Sequence, residues 1–322
     1  MCGICGIRRF GDQPLSREMF EILLIENQRR GNHATGVVIQ QADGSIDTFK
    51  GAVPAWTLTG QADYQRWMAE NLLPDSRTLI GHTRQATKGN PKDNKNNHPL
   101  FDGITALVHN GMLSNDDRLF KDLKLNRAAE TDSDILRAIL DEYGFTPKGI
   151  NTLNRCEGSA AIAAVSTDYP GKLLLARSGN PIETASTENF FLWSSEVGPI
   201  IKCCRPFIKK FGIVFRKLKS DLCTLPMVNN SAWIFGDEPK NGSFLEHHQE
   251  LKIATHFVPH CYDVNGTYFG MRVRFHDQRP VQVAKCRNKK CGKWVSLNPI
   301  HSRFIHRISC KACGTPLREQ KA

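Results

Sequence analysis

Over roughly the first two hundred residues, apolar and polar positions alternate in short blocks rather than long runs. ICGIRRF near the start, then RTLIGHTR, GITALVHNG, GSAAIAAVS, KLLLARSG and FFLWSS, have the length and composition of strands. TGVVIQQADGSIDTF carries two such blocks around the turn sequence ADGS and predicts a hairpin. LSREMFEILLIENQRR spaces its apolar residues as a helix does, with Ser16 placed to cap it. DSDILRAILDEYG repeats that spacing and is stopped by Gly144. IKCCRPFIKKFGIVFRKLK reads as a basic amphipathic segment or as a cover for the core. Many short strands, hairpin-length connections and helices between groups predict an α+β fold of layered, mostly antiparallel sheet. The turn-rich stretch GDEPKNGS, Gly236 to Ser243, is the expected junction after the first domain. The division expected is 2–235, a linker or domain extension at 236–280, and a small module at 281–322.

Polar islands break the apolar blocks: RRGNHATG, GHTRQATKGNPKDNKNNHP, VHNGML and AETDSD. Each has a purely structural reading. RGN and NPKDNKNN suit turns, HNG is a good turn at the end of its strand, and Thr131 or Asp132 could cap the following helix. MCGICG raises a different question. Its two cysteines could be half of a metal site. If Met1 is removed, however, Cys2 carries a thiol together with a free α-amine whose pKa is about 8, so nucleophile and base would belong to one residue.

Taken in order with MCGICG, these islands resemble the glutaminase domain of the class II glutamine amidotransferases, within the N-terminal nucleophile hydrolase superfamily. The matching runs are Cys2-Gly3-Ile4, Arg30-Gly31 with Gly36, Gly81-His82-Thr83-Arg84 continuing through Ala86-Thr87 and Gly89, Asn97-His98-Pro99, His109-Asn110-Gly111, and Glu130-Thr131-Asp132. The resemblance spans Cys2 to about Ser195, with weaker extension to Trp233. It implies a four-layer αββα sandwich of stacked antiparallel sheets, and attack of Cys2 on the side-chain amide of L-glutamine. Ammonia then leaves and a thioester is hydrolysed. It implies that Arg84 clamps the substrate carboxylate, whose shape suits a planar guanidinium fork. By the same resemblance Asp132 receives the substrate ammonium, and Thr83, Thr87 and His98 are pocket or hydrogen-bonding positions. Asn110 and Gly111 supply oxyanion donors, and Arg30 helps to position Cys2. Four positions depart from the family pattern. Sugar-aminating members usually have Trp at Gln85, His at Lys88, Asp-Ser at His33-Ala34 and Val at Cys5. The expectation is therefore retained glutamine chemistry without sugar amination. The remaining chain is too short for most synthase domains, so an ammonia-accepting synthase or modification enzyme is expected in trans. The rival reading is a catalytically silent protein of this fold that docks a synthase or nucleic acid.

Composition and charge change the picture mainly at the other end. The chain has 322 residues, a net charge of +11 and eleven cysteines. No signal-peptide pattern or membrane-length apolar run is present, which gives a cytoplasmic default with no membrane partner. From Lys285 to Ala322 there are ten Lys or Arg against one acid, Glu319. The same stretch holds CRNKKCGKW and CKACG, and Cys286, Cys291, Cys310 and Cys313 resemble the ligands of a zinc ribbon. Structural Zn2+ is the one cofactor expected, with no organic cofactor. His301 and His306 compete as ligands, and His247, His248, His256 and His260 around Cys261 form a less convincing cluster. Arg287, Lys289, Lys290 and Lys293, interleaved with Trp294 and Phe304, suit contact with nucleic acid. A protein-docking face is the competing use. A nucleic-acid contact predicts binding that weakens steeply with salt.

Overall fold

A computed structural model describes residues 1–186, 189–210, 225–227, 229–240, 243–251 and 253, with short strands at 261–262, 268–269, 282–285 and 294–297. The chain divides into two compact units, Met1–Phe257 and Val258–Ala322.

The first unit begins with β1 (Gly3–Arg9), α1 (Arg17–Asn27), β2 (Ala34–Gln40), β3 (Ile46–Gly51), α2 (Ala55–Gly60), α3 (Ala62–Asn71) and β4 (Thr78–Arg84). It continues through β5 (Thr105–Leu113), α4 (Asp116–Leu123), α5 (Asp134–Tyr143), α6 (Pro147–Leu153), β6 (Gly158–Ser166) and β7 (Tyr169–Ser178). It closes with β8 (Glu183–Ser186), β9 (Phe190–Ser194), α7 (Val197–Lys210), β10 (Leu225–Pro226), β11 (Ser231–Lys240) and β12 (Ser243–Glu250). Ser16 caps α1 as its position suggests, accepting from the Met19 N–H at 3.2 Å. Gly144 ends α5 at φ +68°, a conformation that suits glycine.

Two antiparallel sheets form, in the orders β10-β8-β9-β1-β4-β2-β3 and β12-β11-β7-β6-β5. Because side chains alternate across a strand, each sheet feeds two cores. Ile4, Val38 and Ile80 of the first sheet meet Val108, Ala163 and Leu175 of the second between the sheets. Cys5, Ile7, Val37 and Leu79 point outward against α1, α2, α3 and α7. Leu107, Ile162 and Leu174 point outward against α4, α5 and α6. The result is a four-layer αββα arrangement.

Gly6 illustrates how tightly the inner layer is filled. It faces Trp193 across the β1–β9 pairing, and a Cβ there would lie 2.0 Å from the indole ring. Gly6→Ala is expected to cost about 1–3 kcal/mol, the usual range for overpacking. It would be read as a lower urea midpoint at unchanged slope.

One sequence expectation and two structural readings are corrected here. HNG is no turn, because β5 runs through it to Leu113. GDEPKNGS is no junction: β11 and β12 pair antiparallel across it, with Lys240 opposite Ser243, and both belong to the second sheet. Neither Thr131 nor Asp132 caps α5, whose N-cap residue is Ser133.

In the second unit, Cys261–Tyr262 (β13) pairs with Tyr268–Phe269 (β14), and Gln282–Lys285 (β15) pairs with Trp294–Leu297 (β16). Cys286, Cys291, Cys310 and Cys313 lie outside the described residues, as do Arg287, Lys289, Lys290, Lys293, His301, Phe304 and His306. His256 and His260 also lie outside them. Among the described residues no group of His, Cys, Asp and Glu could hold a metal, and no helix is long and apolar enough to cross a membrane.

Candidate active site

The alternation that builds the inner core also gathers polar residues at one end of it. Cys2 lies two residues before Ile4, Arg84 lies four after Ile80, and Asn110 lies two after Val108. Each therefore shares the inward face of its strand. Pairing of Gly3 with Thr83 brings Cys2 beside the end of β4.

The Cys2 sulfur is half-buried. It accepts from the Gln85 N–H at 3.3 Å and its thiol donates to the Gln85 carbonyl at 3.4 Å. Burial raises the thiol pKa above its ordinary value; the Gln85 N–H and the Arg84 charge oppose that rise, and Asp132 adds to it. Arg30 Nε donates to the Cys2 carbonyl at 2.8 Å, and Glu196 in turn holds Arg30 at 2.7 Å and Arg29 at 2.5 Å. The start of the first strand is thus anchored through the Cys2 carbonyl.

Arg84 is buried. Its Nη1 donates to Asn97 Oδ1 at 2.7 Å, and its Nη2 donates to the carbonyls of Lys88 at 2.6 Å and Gly89 at 3.2 Å. The loop that follows β4 therefore wraps around the guanidinium. Burial lowers the Arg84 pKa, while the nearby Cys2 and Asp132 favour its charge. Asp132 Oδ2 accepts from the Leu113 N–H at 2.6 Å, at the end of the strand that carries Asn110 and Gly111. The amide nitrogen of Asn110 is buried and has no hydrogen-bond partner among the described residues. Such an orphaned donor costs about 1–3 kcal/mol unless something fills its site.

Thr83 is a hydrogen-bonding position and His98 a packed one. Thr83 points to the outer face of β4, where its hydroxyl donates to the Asn27 carbonyl at 2.9 Å. His98 is buried against His82, ring centroids 4.2 Å apart, and burial holds its pKa well below the ordinary histidine value. His82 is pushed down to about 3, chiefly by burial, and its Nε2 donates to the His109 carbonyl at 3.1 Å. These rings are neutral packing and support beneath Arg84. Thr87 is exposed on the loop.

Sequence reading missed several supports. Lys50 donates to the carbonyls of Asn97 at 2.9 Å and Pro99 at 3.0 Å; burial lowers its pKa to about 8, with Asp93 opposing. Glu196 and Asn180 belong to no motif and reach the site only through the fold. Three of the four departures from the family pattern cluster here as well. The Ala86 N–H donates to His33 Nδ1 at 3.1 Å, and the Gln85 amide nitrogen lies 3.4 Å from His33 Nε2. Lys88 pairs with Asp116 at 2.6 Å, which Arg127 also holds at 2.8 Å. That ties the loop to α4.

No protein-family model matches the chain. It is 37% identical over 191 residues to a glutamine–fructose-6-phosphate aminotransferase (isomerizing) of Gluconobacter oxydans, covering 56% of this chain and 29% of that protein. A Corynebacterium glutamicum protein of the same name is 31% identical over 226 residues, covering 65% of this chain and 35% of its own length. The chain thus spans about a third of the length of these curated relatives. Among solved structures, the glutamine phosphoribosylpyrophosphate amidotransferase of B. subtilis, complexed with ADP and GMP, superimposes with a TM-score of 0.54 at 20% identity. It covers 77% of this chain and 49% of that one. A structure described as the allosteric regulatory enzyme of purine biosynthesis gives a TM-score of 0.56 at 18% identity, with the same coverage. The matched stretch is thus similar to part of these aminotransferases, and the fold is similar to that of the two solved structures. Both sheets lie in the first unit, and the site described above sits at one end of the layer between them.

Proposed function

We propose that the chain hydrolyses L-glutamine through Cys2 and passes the ammonia to an acceptor outside the amidotransferase domain. The sulfur attacks the side-chain carbonyl carbon while the thiol proton moves to the α-amine of Cys2, freed by loss of Met1. The carbon–nitrogen bond breaks, the leaving nitrogen takes that proton, and ammonia departs. Water then attacks the thioester, returning the thiol and releasing glutamate. Arg84 takes the substrate carboxylate and Asp132 its ammonium, while the Asn110 side chain and the Gly111 N–H receive the oxyanion. The observation that carries the reading is the buried, unpartnered Asn110 amide on the same inward layer as Cys2 and Arg84. The experiment is direct: the protein with Cys2 at its amino end, incubated with glutamine, should yield glutamate and ammonia in equal amounts. An absence of both, with no labelling of Cys2 by a glutamine-like electrophile, would leave only a silent binding protein.

His33, Gln85 and Lys88, grouped around Cys2 and its loop, support an acceptor other than the sugar phosphate in the relatives' names. We also propose a structural zinc held by Cys286, Cys291, Cys310 and Cys313. The β15–β16 hairpin supports it, since Lys285, directly before Cys286, pairs with Trp294 shortly after Cys291. A closed four-sulfur site would stabilise its own module and take no part in glutamine chemistry. One zinc per chain is expected by elemental analysis, and Cys286→Ser with Cys310→Ser should lose it while glutamate release persists. Full zinc retention by that double variant would refute the site.

A further inference from the structure

The Asn110–Gly111 peptide is the piece of backbone on which the oxyanion site depends, and a residue outside every motif holds it. Asn180 lies just after β7. Its Nδ2 donates to the Asn110 carbonyl at 2.9 Å and to Ser159 Oγ at 3.1 Å. The segment carrying it is fixed in turn. Gly179, at φ +85°, donates its N–H to Asn229 Oδ1 at 2.9 Å, and Ser178 Oγ donates to Asn230 Oδ1 at 2.9 Å. On the other side the backbone is wedged, because a Cβ on Gly111 would lie 2.0 Å from the Ser159 carbonyl oxygen.

A peptide unit is planar and trans, so its C=O and N–H point in opposite directions. The carbonyl held by Asn180 and the N–H of Gly111 belong to the same unit. Fixing one therefore fixes the aim of the other. Donation to the carbonyl also polarises the unit, which strengthens the N–H as a donor. β5 is the edge strand of its sheet: Asn110 pairs with Ala161 of β6 on one side, and among the described residues no strand of the sheet lies on the other.

We infer that Asn180 is a positioning residue for the oxyanion hole: it orients and polarises the Gly111 N–H through the Asn110 carbonyl. The inference rests on the glutaminase reading above. It places the effect of Asn180 in the transition state, where charge develops on the substrate oxygen, and leaves ground-state glutamine binding to Arg84 and Asp132.

The test is steady-state glutamine hydrolysis by Asn180→Ala and by Asn180→Asp, which has nearly the same shape but cannot donate when ionised. Both should lower kcat by about 10-fold, below the ~10²–10³ that follows outright loss of an oxyanion donor. KM should stay within twofold. Affinity for an aldehyde analogue of glutamine, which forms a tetrahedral adduct with the thiol, should fall in parallel with kcat, and affinity for glutamate should not. A merely structural role would move KM and the unfolding midpoint together with kcat. Wild-type activity with kcat unchanged in Asn180→Asp overturns the inference alone. A wild-type chain that releases no glutamate overturns the reading of the site, and this inference with it.

Discussion

Cys2→Ala is expected to abolish glutamate release, by about 10⁴-fold or more, because in the proposed reaction the thioester forms on its sulfur. The protein should remain folded. The Cys2 backbone is held by Arg30, and the strand beyond it pairs on both sides. Glutamine binding should survive within a few-fold, since the proposed grips on its carboxylate and ammonium lie on Arg84 and Asp132. Burial raises the Cys2 thiol pKa above its ordinary value, which favours the protonated sulfur and calls for a base. With the Cys2 α-amine in that role, kcat/KM should rise with pH as the amine loses its proton, near pH 8 for an ordinary α-amine. Residual turnover by Cys2→Ala above one part in a thousand would point to a different nucleophile.

Arg84→Lys should raise the KM for glutamine by about 10²-fold. That corresponds to roughly 3 kcal/mol, about one strong charge-assisted hydrogen bond. Lysine keeps the charge, but its single nitrogen cannot reach Asn97 and the two loop carbonyls at once and still face a carboxylate. The substitution therefore loosens the loop after β4 as well as the proposed grip. Initial rates over a wide glutamine range would show it, with kcat falling less than KM rises. A KM within threefold of wild type would place the carboxylate elsewhere.

Much of this site was legible because its chemistry is concentrated in short polar islands on regular strands. The face of each residue was less so. Thr83 and Arg84 are adjacent in one motif, yet alternation along β4 sends them to opposite layers, and only Arg84 meets the site. His109-Asn110-Gly111 has the composition of a turn but continues an edge strand, since a dipeptide that tolerates a bend also exposes a donor. GDEPKNGS carries turn signals that serve a hairpin as well as a domain junction. α2 and α3 went unread because their apolar residues are few; Tyr64 and Met68 carry much of the buried face of α3. Lys50, Glu196 and Asn180 act through single long-range bonds, and no local pattern announces those.

The first strand is a central one, bonded to β9 and β4, and the Ile4 N–H is held by Ser195 Oγ at 3.0 Å directly behind Cys2. An affinity tag or fusion partner attached ahead of residue 2 would leave that strand in place and the protein well folded. It would also occupy the amine. Preparations made that way would look sound by calorimetry and gel filtration and yet register few working sites by active-site titration. A handle attached after residue 322 avoids the conflict, and on the proposed reading the fraction of chains with a free Cys2 amine sets the ceiling on specific activity.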